Sequence, residues 1–168
     1  QFGFEEERVE QVMIRSGPEH PYPAIRGCWR LGEKAAASIP DRASVDRHRE
    51  ALERYASISE QLFVGIDRRI AAGVGDASFV LWGAGQLATK IMSRASFPTE
   101  RLAFVVDAAP TRHGQCLGAF EVLAPESVSL EDWPSRIVAG SIFAEASIAK
   151  AVRSLGIDAE VIALSPSA

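Results

Sequence analysis

The stretch "VLWGAGQLATKIM", residues 80–92, decides how the chain is read. An apolar run ending at Trp82 meets Gly83-Ala84-Gly85, and apolar residues of helical period follow. Gly83-Ala84-Gly85-Gln86-Leu87-Ala88 fits G-x-G-x-x-[GA], the turn from a strand into a helix that places backbone against a phosphate. Gly83 permits the tight turn, Gly85 lets a ligand approach the backbone, and Ala88 is small enough for the helix to sit close on a sheet. The free N–H groups at the helix start, Gln86 among them, and the positive end of the helix dipole form an anion site. Asp107 stands 22 residues after Gly85, at the end of the next apolar strand, where a carboxylate takes ribose hydroxyls. The competing reading is a plain glycine turn with a surface aspartate capping a loop.

Outward from this turn the chain alternates strand and helix. Strands are expected at 78–82, 102–107, 136–140 and 159–164, with helices in "GQLATKIMSRA" and in "AEASIAKAVRSLG", which closes at Gly156. "LGAFEV" reads as a short extended piece, and "PESV" as a helical turn with proline at its first position. Apolar strands alternating with helices argue for an α/β fold, a small Rossmann-like parallel sheet of about four strands covered on both sides. Four strands fall short of the two halves of three that a dinucleotide fold uses, which suits a mononucleotide or nucleoside-diphosphate group. No Tyr-x-x-x-Lys pair for hydride transfer is present.

Before that domain the period changes. Val45, His48, Leu52, Tyr55, Ile58, Leu62, Ile66 and Ile70 recur at spacings of three and four, predicting a long helix over 44–72. Asp41 or Ser44 can cap its start, and Gly73 or Gly75 can end it. Such a helix is a spacer that packs on a neighbouring domain or on a second copy of itself. The first 32 residues read as two antiparallel strands, "RVEQVMIRS" and "AIRGCWRLG", with "GPEHPYP" as a stiff loop because its three prolines cannot continue a ladder. The expected domains are therefore a β-hairpin at 1–34, a linker and long helix at 35–74, and the Rossmann-like domain at 75–168.

Composition narrows the function classes. At 168 residues and 47% hydrophobic, the chain can bury one sizeable core with accessory elements. A net charge of −4, with Lys and Arg dispersed among acids, disfavours a nucleic-acid partner. Cys28 and Cys116 fit neither a metal spacing nor a disulfide framework, which suits reduced thiols in a cytoplasmic protein. No apolar run is long enough to span a bilayer, and no signal peptide is visible. The chain opens on "QFGFEEE" without an initiator methionine, as if in mid-domain, so it reads as a piece of a longer protein.

The loop "DAAPTRHGQCLGAFEVLAPESV" carries a resemblance. With the turn before it, it is similar to the Rossmann-like C-terminal domain of sugar C-methyltransferases that use S-adenosylmethionine, and to N-terminal domains of some nucleotide-sugar dehydratases and sugar acyltransferases. Gly83, Gly85, Val105, Val106, Asp107, Pro110, Gly114, Gly118, Val122, Pro125 and Glu126 stand at comparable positions over residues 78–164. The loop from Pro110 to Gly114 is one residue longer than the pattern and lacks its lysine. "FGFEEERVEQVMIRSGPEHPYPAIRGCWRLG" resembles the last part of a class I methyltransferase domain. The resemblance implies a nucleotide-sugar or other phosphorylated small molecule as ligand. It also implies S-adenosylmethionine as cofactor of the parent protein, bound upstream of Gln1, and an acid/base role for His20 and Tyr22, whose bland alternative is a turn loop.

Four further residues have two readings each. Arg112 and His113 either contact ligand phosphate or form an exposed loop, and Ser141 can cap the last helix while facing the cleft at the carboxyl ends of the strands. Cys116 would need a base to act as a nucleophile, and none is identifiable. Trp29, Trp82 and Trp133 are most simply core or interface rings. Three functions are thus expected to compete: a nucleotide or nucleotide-sugar binding module of a methyltransferase-like protein, a fragment of an NAD-dependent nucleotide-sugar oxidoreductase or dehydratase, and a ligand-free domain that forms a homodimer through the 44–72 helix.

Overall fold

The computed structural model describes residues 3–15, 21–32 and 42–165. The chain divides into two compact units, Gln1–Ala51 and Leu52–Ala168. In the first, β1 (Gly3–Arg15) and β2 (Pro21–Gly32) pair antiparallel from Gly3 opposite Gly32 to Arg15 opposite Pro21, with an irregularity between Glu6 and Arg8. The expected pair of strands is present but longer. Pro21 and Pro23, expected in the loop, lie within β2 opposite Arg15 and Met13. A two-stranded ribbon leaves every second N–H facing outward, and prolines two residues apart can both take such positions without losing a ladder bond.

Helix α1 (Arg42–Val74) extends beyond the expected 44–72 at both ends. Ser44 therefore lies inside the helix and is not its cap, and Asp41 lies outside the described residues. The helix ends at Gly75, whose φ of +55° suits glycine and whose N–H donates to the Ala71 carbonyl at 3.0 Å. Gly73 is helical for a different reason. A Cβ there would stand 2.7 Å from the Ile162 side chain, so the absent side chain lets helix and sheet approach.

The second unit carries β3 (Phe79–Trp82), α2 (Gln86–Met92), β4 (Leu102–Val106), β5 (Cys116–Leu117), β6 (Phe120–Leu123), β7 (Arg136–Ala139), α3 (Glu145–Ser154) and β8 (Glu160–Ile162). Among the described residues they form a six-stranded mixed sheet in the order β5-β6-β4-β3-β7-β8. β6, β4, β3, β7 and β8 run parallel, and β5 is antiparallel to β6. The expectation of four parallel strands is corrected by "LGAFEV". Gly118, at φ +63°, turns the chain between Leu117 and Phe120, making a hairpin whose strands are too short to show a period.

Successive strand residues point to opposite faces, so each face has its own core. On one, Phe79, Leu81, Val105, Val122, Val138 and Ile162 pack with Ile66, Ile70 and Val74 of α1 and with Ala88 and Ile91 of α2. On the other, Val80, Trp82, Val106, Ile137 and Ala139 pack with Ile148 and Val152 of α3. β3 is buried throughout, which is why its sequence is an unbroken apolar run. Between β6 and β7 the chain makes two 3-10 turns, Pro125–Ser127 and Leu130–Asp132, and Trp133 packs at 5.6 Å from Trp82 and 5.4 Å from Phe104, between ring centroids. The end of α2 is fastened to α1 by Arg94, which donates to Asp67 at 2.9 Å and to Glu60 at 2.7 Å and lies over the Phe63 ring. The hydrogen bond from Arg94 holds the Glu60 carboxyl below its ordinary pKa.

The stripe on α1 is thus divided. Ile66 and Ile70 are buried, whereas Leu52 and Tyr55 are each 68% exposed. No helix among the described residues is long and apolar enough to cross a membrane.

The contact at Gly73 gives a prediction of sign. Gly73→Ala gains about 0.5–1 kcal/mol of helix propensity but overpacks Ile162 at a cost of about 1–3 kcal/mol, so it lowers or leaves unchanged the urea midpoint. In an Ile162→Ala background the obstruction is gone, and the same substitution raises the midpoint. An equal effect in both backgrounds would refute the close approach.

Candidate functional site

The carboxyl end of β3 runs into Gly83, whose φ of +111° suits glycine and whose N–H donates to the Val106 carbonyl at 2.7 Å. On its other side Gly140, leaving β7, donates to the Trp82 carbonyl at 2.7 Å. A Cβ on Gly140 would stand 2.4 Å from the Gly83 oxygen, so the two strands leave the sheet backbone against backbone. Gly85 precedes α2 in an extended conformation, φ −84°, with no side-chain cap, and a Cβ there would meet nothing within 4 Å. Ala88, completely buried, sits where the motif needs a small residue. α2 is only seven residues long, so the anion site expected from its dipole reduces to the exposed backbone of its first turn.

Asp107 follows β4 and joins this turn to the next loop. One carboxylate oxygen accepts the Ala84 N–H at 2.7 Å and the other accepts the Ala109 N–H at 2.8 Å. A carboxylate has about four acceptor positions, so two remain for a ligand hydroxyl. The Asp107 carbonyl lies 2.8 Å from His113 Nε2; because a carbonyl only accepts, that nitrogen carries the proton. His113 thereby ties the end of the loop to its start. Arg112 is exposed on the intervening 3-10 turn, Pro110–Arg112.

The topology makes a crevice here. From β3 the chain moves through β4 to β6 on one side, then crosses to β7 and β8 on the other, so the order reverses between β3 and β7. Ligands of open α/β sheets bind outside the carboxyl ends of the strands at such a switch point. Two clefts open there. One, of about 340 Å³, is bounded by Trp82, Gly83, Gly85, Asp107, Ser141 and Ile148. The other, of about 360 Å³, is bounded by Gly85, Gln86, Leu87, Lys90, Ser141 and Phe143. Gly85 and Ser141 border both.

Five of the expected residues, Gly83, Gly85, Gln86, Asp107 and Ser141, therefore line this crevice. Ser141 does so without capping the last helix. It precedes a 3-10 turn, Ile142–Ala144, and makes no side-chain cap bond, while α3 begins only at Glu145. Glu145 is used elsewhere, accepting the Ser165 N–H at 2.7 Å and its hydroxyl at 2.6 Å to hold the segment after β8. Lys90 and Phe143 were not expected. The spacing of four from Gln86 to Lys90 puts both on one face of α2 and is visible in the sequence; nothing in sequence marks Phe143.

His20 lies outside the described residues, and Tyr22 stands in β2 opposite Ile14, in the first unit. Cys28 and Cys116 are free and exposed. Trp82 is buried, and Trp29 belongs to β2 opposite Glu6. Among the described residues no group of three or more His, Cys, Asp or Glu side chains is placed to hold a metal ion.

Asp107 is expected to carry stability as well as any ligand. Asp107→Ala leaves the N–H of Ala84, a buried residue, without its acceptor, at a cost of about 1–3 kcal/mol in urea unfolding. Asp107→Asn, which keeps one acceptor oxygen, falls between. Equal stability of all three chains would contradict the clasp. No protein-family model matches the chain, and no curated protein matches its sequence.

Proposed function

We propose that the second unit binds a nucleotide or nucleotide-sugar in the crevice beyond β3 and β7, as the ligand-holding part of a methyltransferase-like protein. The observation that supports this most is the reversal of strand order between β3 and β7, which gathers Gly85, Asp107 and Ser141 around open space. Gly83, Gly85 and Gln86 offer backbone to a phosphate, Asp107 offers two acceptor positions to a ribose, and Ser141 offers a hydroxyl from the opposite wall. Arg112 and His113 stand on the loop after Asp107 and are candidates for further phosphate contacts in this reading. The methyl donor, S-adenosylmethionine, belongs in this reading to the parent protein.

The fifth parallel strand, β8, favours a second reading. With β7 it lies beyond the switch point, where the other half of a dinucleotide would bind, which is the feature in favour of an NAD-dependent oxidoreductase or dehydratase. A third reading, a homodimer through the 44–72 helix, is supported by the exposed Leu52, Tyr55, Ile58 and Leu62.

Thermal-shift titration with NAD, nucleoside diphosphates and nucleotide-sugars separates the readings. A diphosphate or nucleotide-sugar at a hundredfold excess over Kd stabilises the fold by about 2.7 kcal/mol. Gly85→Val, a substitution into open space at an ordinary φ, leaves the unliganded melting temperature within about 2 °C and removes the shift. A larger shift with NAD than with any diphosphate would transfer the proposal to the second reading. No shift with any of them would end both, and sedimentation of the full chain would then test the dimer.

A further inference from the structure

Building on the nucleotide reading above, we infer that the base of the nucleotide lies on the α3 side of the crevice and is adenine. The cleft of about 340 Å³ is within the range of small-ligand sites, and Asp107 and Gly85 give a ligand in it a direction. A ribose on the free acceptor positions of Asp107, with its phosphate at the Gly85 backbone, leaves one part of that cleft for the base. This part is lined by Ala108, on the loop after β4, and by the start of α3. Ser147, Ile148 and Ala151 fall on one face of α3, and Ala144 immediately precedes the helix.

The chemistry of this space selects among bases. Ala108, Ala144 and Ala151 contribute only methyl groups, and Trp82 and Ile148 are buried and apolar. Asp107 apart, the polar side chains lining the cleft among the described residues are the hydroxyls of Ser141 and Ser147. The neighbouring cleft carries Gln86 and Lys90, so the α3 side is the less polar of the two. Methyl side chains leave room for a flat ring, and apolar walls favour the base with the most ring surface and the fewest groups that must be paired. Cytosine, thymine and uracil have one ring and at least one carbonyl oxygen, and guanine has two rings and a carbonyl. Adenine has two rings and no carbonyl. No amide, guanidinium or ammonium lines this cleft among the described residues to meet a base carbonyl, and one left unpaired costs affinity.

The test is calorimetric titration of the full chain with ADP, GDP, UDP, CDP and dTDP, and with NAD, which carries the same adenosine diphosphate. ADP binds about tenfold tighter than each of the other diphosphates, as one unpaired polar group on the disfavoured base requires. NAD keeps that advantage over them. Ala151→Leu adds a side chain to the α3 wall and Ala108→Leu adds one to the loop after β4; each weakens ADP about tenfold by occupying the space of the base. Ala151 is half-buried and Ala108 exposed, so Ala108→Leu carries the test where the melting temperature of Ala151→Leu falls. Another diphosphate binding as tightly as ADP would overturn this inference and leave the nucleotide reading standing. So would ADP binding that Gly85→Val abolishes but neither leucine alters. Failure of the wild-type chain to bind any nucleotide overturns both.

Discussion

Two backbone N–H groups from different loops, those of Ala84 and Ala109, converge on the Asp107 carboxylate, and the geometry of the crevice depends on that convergence. The glycine turn cannot hold itself, because Gly83 and Gly85 have no side chains to pack. Gly83 is fixed by its own N–H on Val106 and by the close pass of Gly140, and Ala84 is fixed by Asp107. Glycine freedom at Gly83 is thus spent on a single backbone path, at an entropic cost that the neighbouring strands offset. What remains open is the side of Gly85 where a Cβ would stand, which meets nothing within 4 Å, while its carbonyl accepts the Thr89 N–H.

This arrangement ties the candidate site to the core. Val105 and Val106, side by side in β4, point to opposite faces of the sheet and are both fully buried, so the strand that delivers Asp107 is locked from both sides. β3 is locked in the same way, and β7 lies beside it. A functional group on a loop is positioned only as well as the elements that carry the loop. Here every wall of the crevice begins within a few residues of a buried strand end, which favours a preformed cleft over one assembled by ligand.

Sequence was informative where residues carry a period or a steric demand. Val80 to Trp82 announced an apolar strand, the stripe to Ile70 announced α1, and Gly83 and Ala88 took the places that the turn motif assigns them, whereas 102–107, read as buried on both faces, is exposed at Ala103. It was uninformative where structure is short or set by a distant partner. β5, two residues long, has no period to detect, and Pro21 and Pro23 entered a strand because a two-stranded ribbon has outward N–H positions to spare. Gly73 resembled a helix stop, but its role depends on Ile162, nearly ninety residues away. Ser141 looked like a helix cap because the 3-10 turn between it and α3 carries no distinct sequence mark. Asp107 reads in sequence either as a ligand carboxylate or as a loop cap; its bond to Ala109 is of the second kind, and its bond to Ala84, 23 residues earlier, carries no local sequence mark.

The most direct measurement of nucleotide binding in the crevice is the amide spectrum of the isotopically labelled full chain, with assigned glycines, during titration with ADP, GDP, UDP, CDP and dTDP in turn. Binding at the switch point moves the amides of Gly83, Gly85, Gln86 and Ser141 together along one saturating curve, while those of Ala71 and Gly75 at the far end of β3 stay in place. Nucleotide-dependent shifts that avoid these four residues, or a spectrum that no nucleotide alters, would contradict it.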